Sequence, residues 1–230
     1  FNHISENYQK YLNLQKKKMM VIFRGINLEY FNTRNTSIKK VNELTKIWNI
    51  DKKNFIILLP GRLTKWKGQV MFIEALSLLV DNHNKNNFHA VILGSNQGRD
   101  VYSKKLSLLV ERYRLGKKIT FIKSCKEMPI AYELSDLVIS SSIEPEAFGR
   151  VAVEAQAMNK PIIASNLGGS METVLKGKSG LLYNSKDPKE LARNINRLME
   201  TDKISLRLMG EQGRKNVERK FNVDQMCQTT

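Results

Sequence analysis

"DLVISSSIEPEAFGRVAVEAQAM", residues 136–158, runs from an apolar segment through a short loop into a stretch of small apolar residues. Leu137, Val138 and Ile139 favour a strand, and Val151 to Ala157 favour a closely packed helix. A strand leading directly into a helix is the repeating unit of a parallel sheet. The same alternation recurs on both sides of this stretch. The strand candidates are "FIILLP" (55–60), "FHAVILG" (88–94), "KITFI" (118–122), "DLVISSS" (136–142), "PIIAS" (161–165) and "GLLY" (180–183). Helical patterns over 67–82, 99–115, 127–135, 148–158, 170–176, 187–200 and 203–220 fill the gaps. This alternation predicts a doubly wound, six-stranded parallel sheet of Rossmann-like α/β type over residues 51–221, with right-handed crossovers and both faces covered.

Residues 1–50 do not share that rhythm. "ISENYQKYLNLQKKK" (4–18) reads as a polar helix with a basic end, "MMVIF" (19–23) as a short strand, and "RGINLEYFNTRN" (24–35) as a turn and linker. A helix over 38–48 then leads into the sheet. The expected organisation is the tail of a preceding domain with its linker over 1–50, the sheet domain, and a truncated C-terminal segment over 222–230. A start at Phe1 rather than Met fits a piece of a longer protein.

The 230 residues carry 38 Lys and Arg against 22 Asp and Glu, a net charge of +16, which favours anionic partners without choosing among them. Hydrophobic residues make up 41%, enough for a proper core. Cys125 and Cys227 are far apart with no CxxC, so reduced thiols in a cytoplasmic protein are the simpler expectation. His3, His83 and His89 show no ligand spacing, and DxD, HExxH and P-loop patterns are absent, so no metal site is expected. No apolar run reaches the roughly 20 residues of a membrane span.

Doubly wound sheets bind ligands beyond the carboxyl ends of their strands, where the strand order reverses. With order 3-2-1-4-5-6, that crevice lies between the first and fourth strands. The loops entering it are "GRLTKWKGQ" (61–69) and "SIEPEAFGR" (142–150). A helix starting near Phe148 offers unpaired amides and partial positive charge, and Gly149 lets a ligand approach the backbone, which together suit a phosphate. Arg150 opposes that dipole unless an anion is near. A surface i,i+4 pair with Glu154 is the plainer reading, yet the apolar neighbours favour a functional Glu154. Gly61 and Gly68 permit a tight turn, while Arg62, Lys65 and Lys67 supply charge, Arg62 as a bidentate fork and Lys67 as a mobile point charge. The basic helix carrying Lys104, Lys105, Arg112 and Arg114 reads as a solvated face.

"GRLTKWKG" followed by "EAFGRVAVE" resembles the C-terminal, donor-binding half of the retaining GT-B glycosyltransferases of family 4 (glycosyl transferases group 1). "VIFRGINLEYF" is similar to that family's interdomain stretch, "NLGGSMETV" to its Gly-Gly-x-x-Glu segment, and "GLLYNSKDPKELARNINRLM" to its closing strand and helix. The resemblance implies transfer of a sugar from a nucleotide diphosphate sugar to an acceptor hydroxyl, with retention and without a cofactor or metal. It implies that Glu154 binds the ribose, and that Glu146 with the amides of Phe148, Gly149 and Arg150 holds the donor sugar. Arg62 and Lys67, beside Gly61, would bind and stabilise the departing diphosphate. The family has Phe-x-Gly after the third strand, where the base is read; here "FIKSC" puts Lys123 in the glycine's place. Met171 stands where the family often has Pro.

The expected partners are therefore a nucleotide sugar and a sugar or lipid-linked acceptor, in lipopolysaccharide or other glycolipid or polysaccharide synthesis. The positive charge would draw the protein to anionic lipid at the inner face of the membrane. With the acceptor half missing, the fragment alone is expected to be inactive. An NAD-dependent Rossmann oxidoreductase is the alternative enzyme class, but no loop contains GxGxxG. A basic nucleic-acid-binding domain is the non-enzymatic alternative; no helix-turn-helix, zinc-finger or RNP pattern is present, so no specific nucleic acid is expected.

Overall fold

The computed structural model describes residues 21–230. Its sheet contains β1 (Phe55–Pro60), β2 (Phe88–Leu93), β3 (Ile119–Ile122), β4 (Leu137–Ser140), β5 (Ile162–Ser165) and β6 (Gly180–Tyr183). All neighbours pair parallel, in the order β3-β2-β1-β4-β5-β6. The order reverses between β1 and β4, so the condition set for a crevice between the first and fourth strands is met.

Before the sheet comes α1 (Ile38–Ile47); α2 (Gln69–His83), α3 (Asp100–Arg112), α4 (Met128–Leu134), α5 (Arg150–Ala157) and α6 (Ser170–Thr173) follow successive strands. After β6 come α7 (Pro188–Glu200), α8 (Lys203–Lys220) and α9 (Val223–Thr229). Alternation along β1 divides the core into two layers. Ile57 and Leu59 pack with Phe72 and Leu76 of α2, Leu106 of α3 and Ile195 of α7. Ile56 and Leu58 face the other way, towards Val41 of α1, Tyr132 of α4, Val153 of α5 and Val217 of α8. Both faces of the strands are thus buried, which explains their continuous apolar runs.

Several boundaries move for local reasons. The helix expected from Phe148 begins at Arg150, because Gly149 takes φ 73° and caps it. The segment expected to be helical over 170–176 stops at Thr173. Leu175 donates its N–H to Ser179 Oγ at 3.0 Å, and a turn between Gly177 and Gly180 follows.

The predicted helix over 4–18 and the first two residues of the predicted strand over 19–23 lie outside the described residues. Residues 21–23 belong to no strand. Phe23 instead packs edge-on against Phe221 at 5.4 Å, holding this segment over the end of α8 rather than at a sheet edge. Ile26 makes a single parallel bridge to Asn222, and its N–H donates to Phe221 O at 2.8 Å. No described helix is long and apolar enough to cross a membrane.

Candidate functional site

The loop after β1 is held in place by backbone contacts that only glycine permits. Lys65–Lys67 form one 3-10 turn, and Gly68 then takes φ 70° to start α2. A Cβ on Gly68 would lie 1.9 Å from the carbonyl oxygen of Ser141. The loop after β4 can therefore come into direct backbone contact. Two hydrogen bonds join the loops: Ser141 Oγ donates to Lys67 O at 2.9 Å, and Ile143 N–H to Trp66 O at 2.8 Å. The loop is also supported from below. Buried Gln69 donates from Nε2 to Arg62 O at 2.8 Å, and Gly94 leaves room for the carbonyl of Gly61, which a Cβ there would meet at 2.0 Å.

Across this junction the side chains of Lys67 and Glu146 meet. Nζ is 2.7 Å from Oε1, and the two side chains are only 14% and 12% exposed. Ser142 Oγ donates to the same carboxylate oxygen. The Lys67 ammonium also lies 4.4 Å from the centre of the Trp66 ring, a cation-π contact. Arg62 sits further out, exposed, with its guanidinium carbon 5.8 Å from that ring. Sequence reasoning treats Lys67 and Glu146 as separate groups, whereas in the structure they form one ion pair spanning the crevice.

Beyond Glu146 the chain enters α5. No side chain caps this helix, and Gly149 serves as its N-cap. The Phe148 ring is buried, edge-on to Phe221 at 5.9 Å, so its contribution to a ligand site is its backbone. Gly168 and Gly169 bear directly on this loop. Gly169 N–H donates to Glu146 O at 2.7 Å, and Cβ atoms at Gly168 and Gly169 would strike the backbones of Glu146 and Phe148 at 2.5 Å. The paired glycines therefore buttress the Glu146–Gly149 turn.

Glu154 does form the i,i+4 pair with Arg150, but its own carboxylate is buried rather than on the surface. Its side chain is 8% exposed; Oε1 accepts from Arg150 Nε at 2.6 Å, and Oε2 from Tyr132 Oη at 2.7 Å. Arg150 itself is 69% exposed, which accounts for a cation at a helix start: the carboxylate one turn on offsets the unfavourable dipole. Burial, then the adjacent Glu154 charge, pushes the Tyr132 hydroxyl well above its usual pKa. Next to Phe148 and Arg150 opens a cavity of about 370 Å³ whose other walls include Arg24, Gly25, Asn27 and Tyr30.

Gly61, Arg62, Lys67, Glu146, Phe148, Gly149, Arg150 and Glu154 thus belong to the two loops at the β1–β4 reversal and to the helix that continues one of them. Lys123 stands apart, exposed on the loop after the edge strand β3. Sequence reasoning passed over Tyr132, Ser142, Gln69 and Gly94. A polar Gln69 at the start of an otherwise apolar helix was the one local signal; the others carry none. Among the described residues, no three His, Cys, Asp or Glu side chains gather where a metal could sit.

A doubly wound parallel sheet whose switch point joins a basic glycine loop to the loop before a helix start is the architecture of a GT-B glycosyltransferase domain. The sequence profile of the family described as glycosyl transferases group 1 matches residues 40–216, and the chain belongs to that family. It is 30% identical over 215 residues to spore coat protein SA of Bacillus subtilis (strain 168), covering 90% of this chain and 55% of that protein. A glycosyltransferase from Rickettsia africae ESF-5 superposes with a TM-score of 0.93 at 29% identity, over 99% of this chain and 59% of that one. Anabaena Alr3699/HepE, solved in complex with UDP and glucose, gives a TM-score of 0.84 at 28% identity, over 94% of this chain and 56% of its own. The chain therefore spans between half and three fifths of the length of these proteins.

Proposed function

We propose that this chain is the donor-binding part of a retaining glycosyltransferase that moves a sugar from a nucleotide diphosphate sugar to an acceptor hydroxyl. The observation that carries this reading is the Lys67–Glu146 pair, held across the switch point and next to the start of α5, which no side chain caps. Lys67 and Arg62 supply positive charge to the diphosphate, and the first amides of α5 add hydrogen-bond donors. Glu146, fixed by Lys67 and Ser142, accepts from hydroxyls of the donor sugar. Glu154 accepts from the ribose, and the loop holding Lys123 lies towards the base.

As the glycosidic bond breaks, negative charge grows on the diphosphate. Lys67, Arg62 and the α5 amides would stabilise that charge electrostatically. No metal ion takes part in the proposed scheme. A UDP-bound relative supports a nucleotide sugar as donor. The acceptor is proposed to be a sugar or lipid-linked sugar in glycolipid or polysaccharide synthesis, reached from the cytoplasmic side by peripheral contact with anionic lipid. Residues 1–230 alone are proposed to bind donor without transferring it, since acceptor positioning is left to the other side of the cleft.

Thermal unfolding with a panel of UDP, GDP and ADP sugars tests the reading. A true donor at a hundred times its dissociation constant stabilises the fold by about 2.7 kcal/mol. Absence of a shift with every nucleotide sugar in the panel would overturn it.

A further inference from the structure

The two oxygens of Glu154 are held by groups of opposite character. Oε1 is bound by Arg150, whose side chain is 69% exposed and can leave for solvent. Oε2 is bound by Tyr132, which is fully buried and cannot leave without opening the core. The tyrosine ring lies in the same core layer as Val153 and Phe148, with Phe31 packed edge-on at 6.1 Å. Its backbone is tied as well, since Tyr132 O accepts from Ser135 Oγ at 2.8 Å. A Glu side chain has three torsions, and a buried carboxylate left with one mobile donor would sample several of them.

We infer that Tyr132 is a positioning residue for the nucleotide: its hydroxyl holds the Glu154 carboxylate in one orientation and turns the Arg150-bound oxygen to the ribose. The inference rests on the ribose role proposed for Glu154. In the free protein Arg150 occupies that oxygen as a counter-ion. On binding, the ribose hydroxyls replace the guanidinium, and the buried carboxylate keeps its donors throughout. The raised pKa of the tyrosine means that it keeps its proton and acts towards the carboxylate as a donor alone. Tyr132 itself does not touch the ligand, so any effect of removing its hydroxyl must pass through Glu154.

The test compares the unmodified chain, Tyr132→Phe and Glu154→Gln by calorimetry. The probes are whichever of UDP, GDP or ADP binds most tightly, and its 2′,3′-dideoxy analogue. The quantity of interest is the ratio of the two affinities, which a misfolded fraction does not alter. A charge-assisted hydrogen bond corresponds to a ratio of about ten to a hundred in the unmodified chain. Tyr132→Phe is expected to lower that ratio about tenfold while leaving dideoxynucleotide affinity within about twofold; Glu154→Gln is expected to abolish it. An unchanged ratio in Tyr132→Phe overturns the positioning role, as does an equal loss for both probes, which would mark a purely structural tyrosine. If the unmodified chain does not discriminate, or Glu154→Gln still discriminates, the ribose role of Glu154 fails and the inference fails with it.

Discussion

Neutralising Glu146 should make the proposed site bind a bare nucleoside diphosphate more tightly, although Glu146 is one of its proposed residues. Its carboxylate lies 2.7 Å from the Lys67 ammonium, in a junction where both side chains are largely buried. Lysine has three donors, so it can keep Glu146 and still reach a phosphate. The arriving phosphate, however, meets a carboxylate as well as an ammonium. Two unit charges about 6 Å apart repel by about 1.4 kcal/mol at an effective dielectric constant of about 40, and by about 2.8 kcal/mol at about 20. Arg62 and Lys65 of the same loop are exposed to water, so the lower figure applies. Glu146→Gln should therefore tighten binding of a nucleoside diphosphate about tenfold. The amide still accepts from Ser142 and Lys67, so the loop should remain in place. The same variant should lose much of the extra affinity that the sugar adds, because a neutral amide is a weaker acceptor for sugar hydroxyls. Calorimetry with the diphosphate and the nucleotide sugar, at two salt concentrations, separates these effects; the gain should shrink at the higher salt. If Glu146→Gln weakens the diphosphate as much as Lys67→Ala does, the ion pair does not lie at the diphosphate and the reasoning is wrong.

Lys67→Ala and Arg62→Ala should each weaken nucleoside diphosphates about ten- to a hundredfold, leaving nucleosides nearly unaffected; an equal loss for both ligands would point to a folding defect. Gly68→Ala combines a strained φ of 70° with a 1.9 Å approach to Ser141 O, and should cost about 3 kcal/mol or more in urea unfolding. A loss below about 1 kcal/mol would mean that the two loops are not tightly joined. His89, whose Nε2 lies 2.8 Å from Thr120 Oγ1, has its pKa held below the usual value, chiefly by burial and then by Lys118. The unfolded chain therefore takes up this proton first, and stability is lost as pH falls below about 6.5. His89→Gln should lose less melting temperature than the unmodified chain between about pH 7 and pH 5; identical slopes would refute the assignment.

The fold was legible because its signals are local and repeated. Runs such as Ile56–Leu59 and Val138–Ile139 announce buried parallel strands without knowledge of their neighbours; the βαβ rhythm leaves more than one strand order open, and the structure supplies the reversal between β1 and β4. The short segment near residues 21–23 has the same apolar composition as a strand. It is no strand because Phe221, almost two hundred residues later, provides an aromatic partner off the sheet. Composition identifies a segment that must be covered, while the choice of cover is a long-range matter.

At the candidate site, sequence alone nominated residues for the proposed chemistry: the basic glycine loop, the carboxylates Glu146 and Glu154, and Gly149 at a helix start. Tertiary structure decided what those residues do to one another. Lys67 meets Glu146 across a separation of 79 residues, and Tyr132 meets Glu154 across 22. Neither pairing has a period or a motif spacing that could reveal it. A serine in a loop or a tyrosine on an apolar helix face looks the same in sequence whether its hydroxyl meets solvent or a buried carboxylate. The difference lies in desolvation, which exists only once the two core layers have closed around the sheet and left Glu154 dependent on donors from other elements.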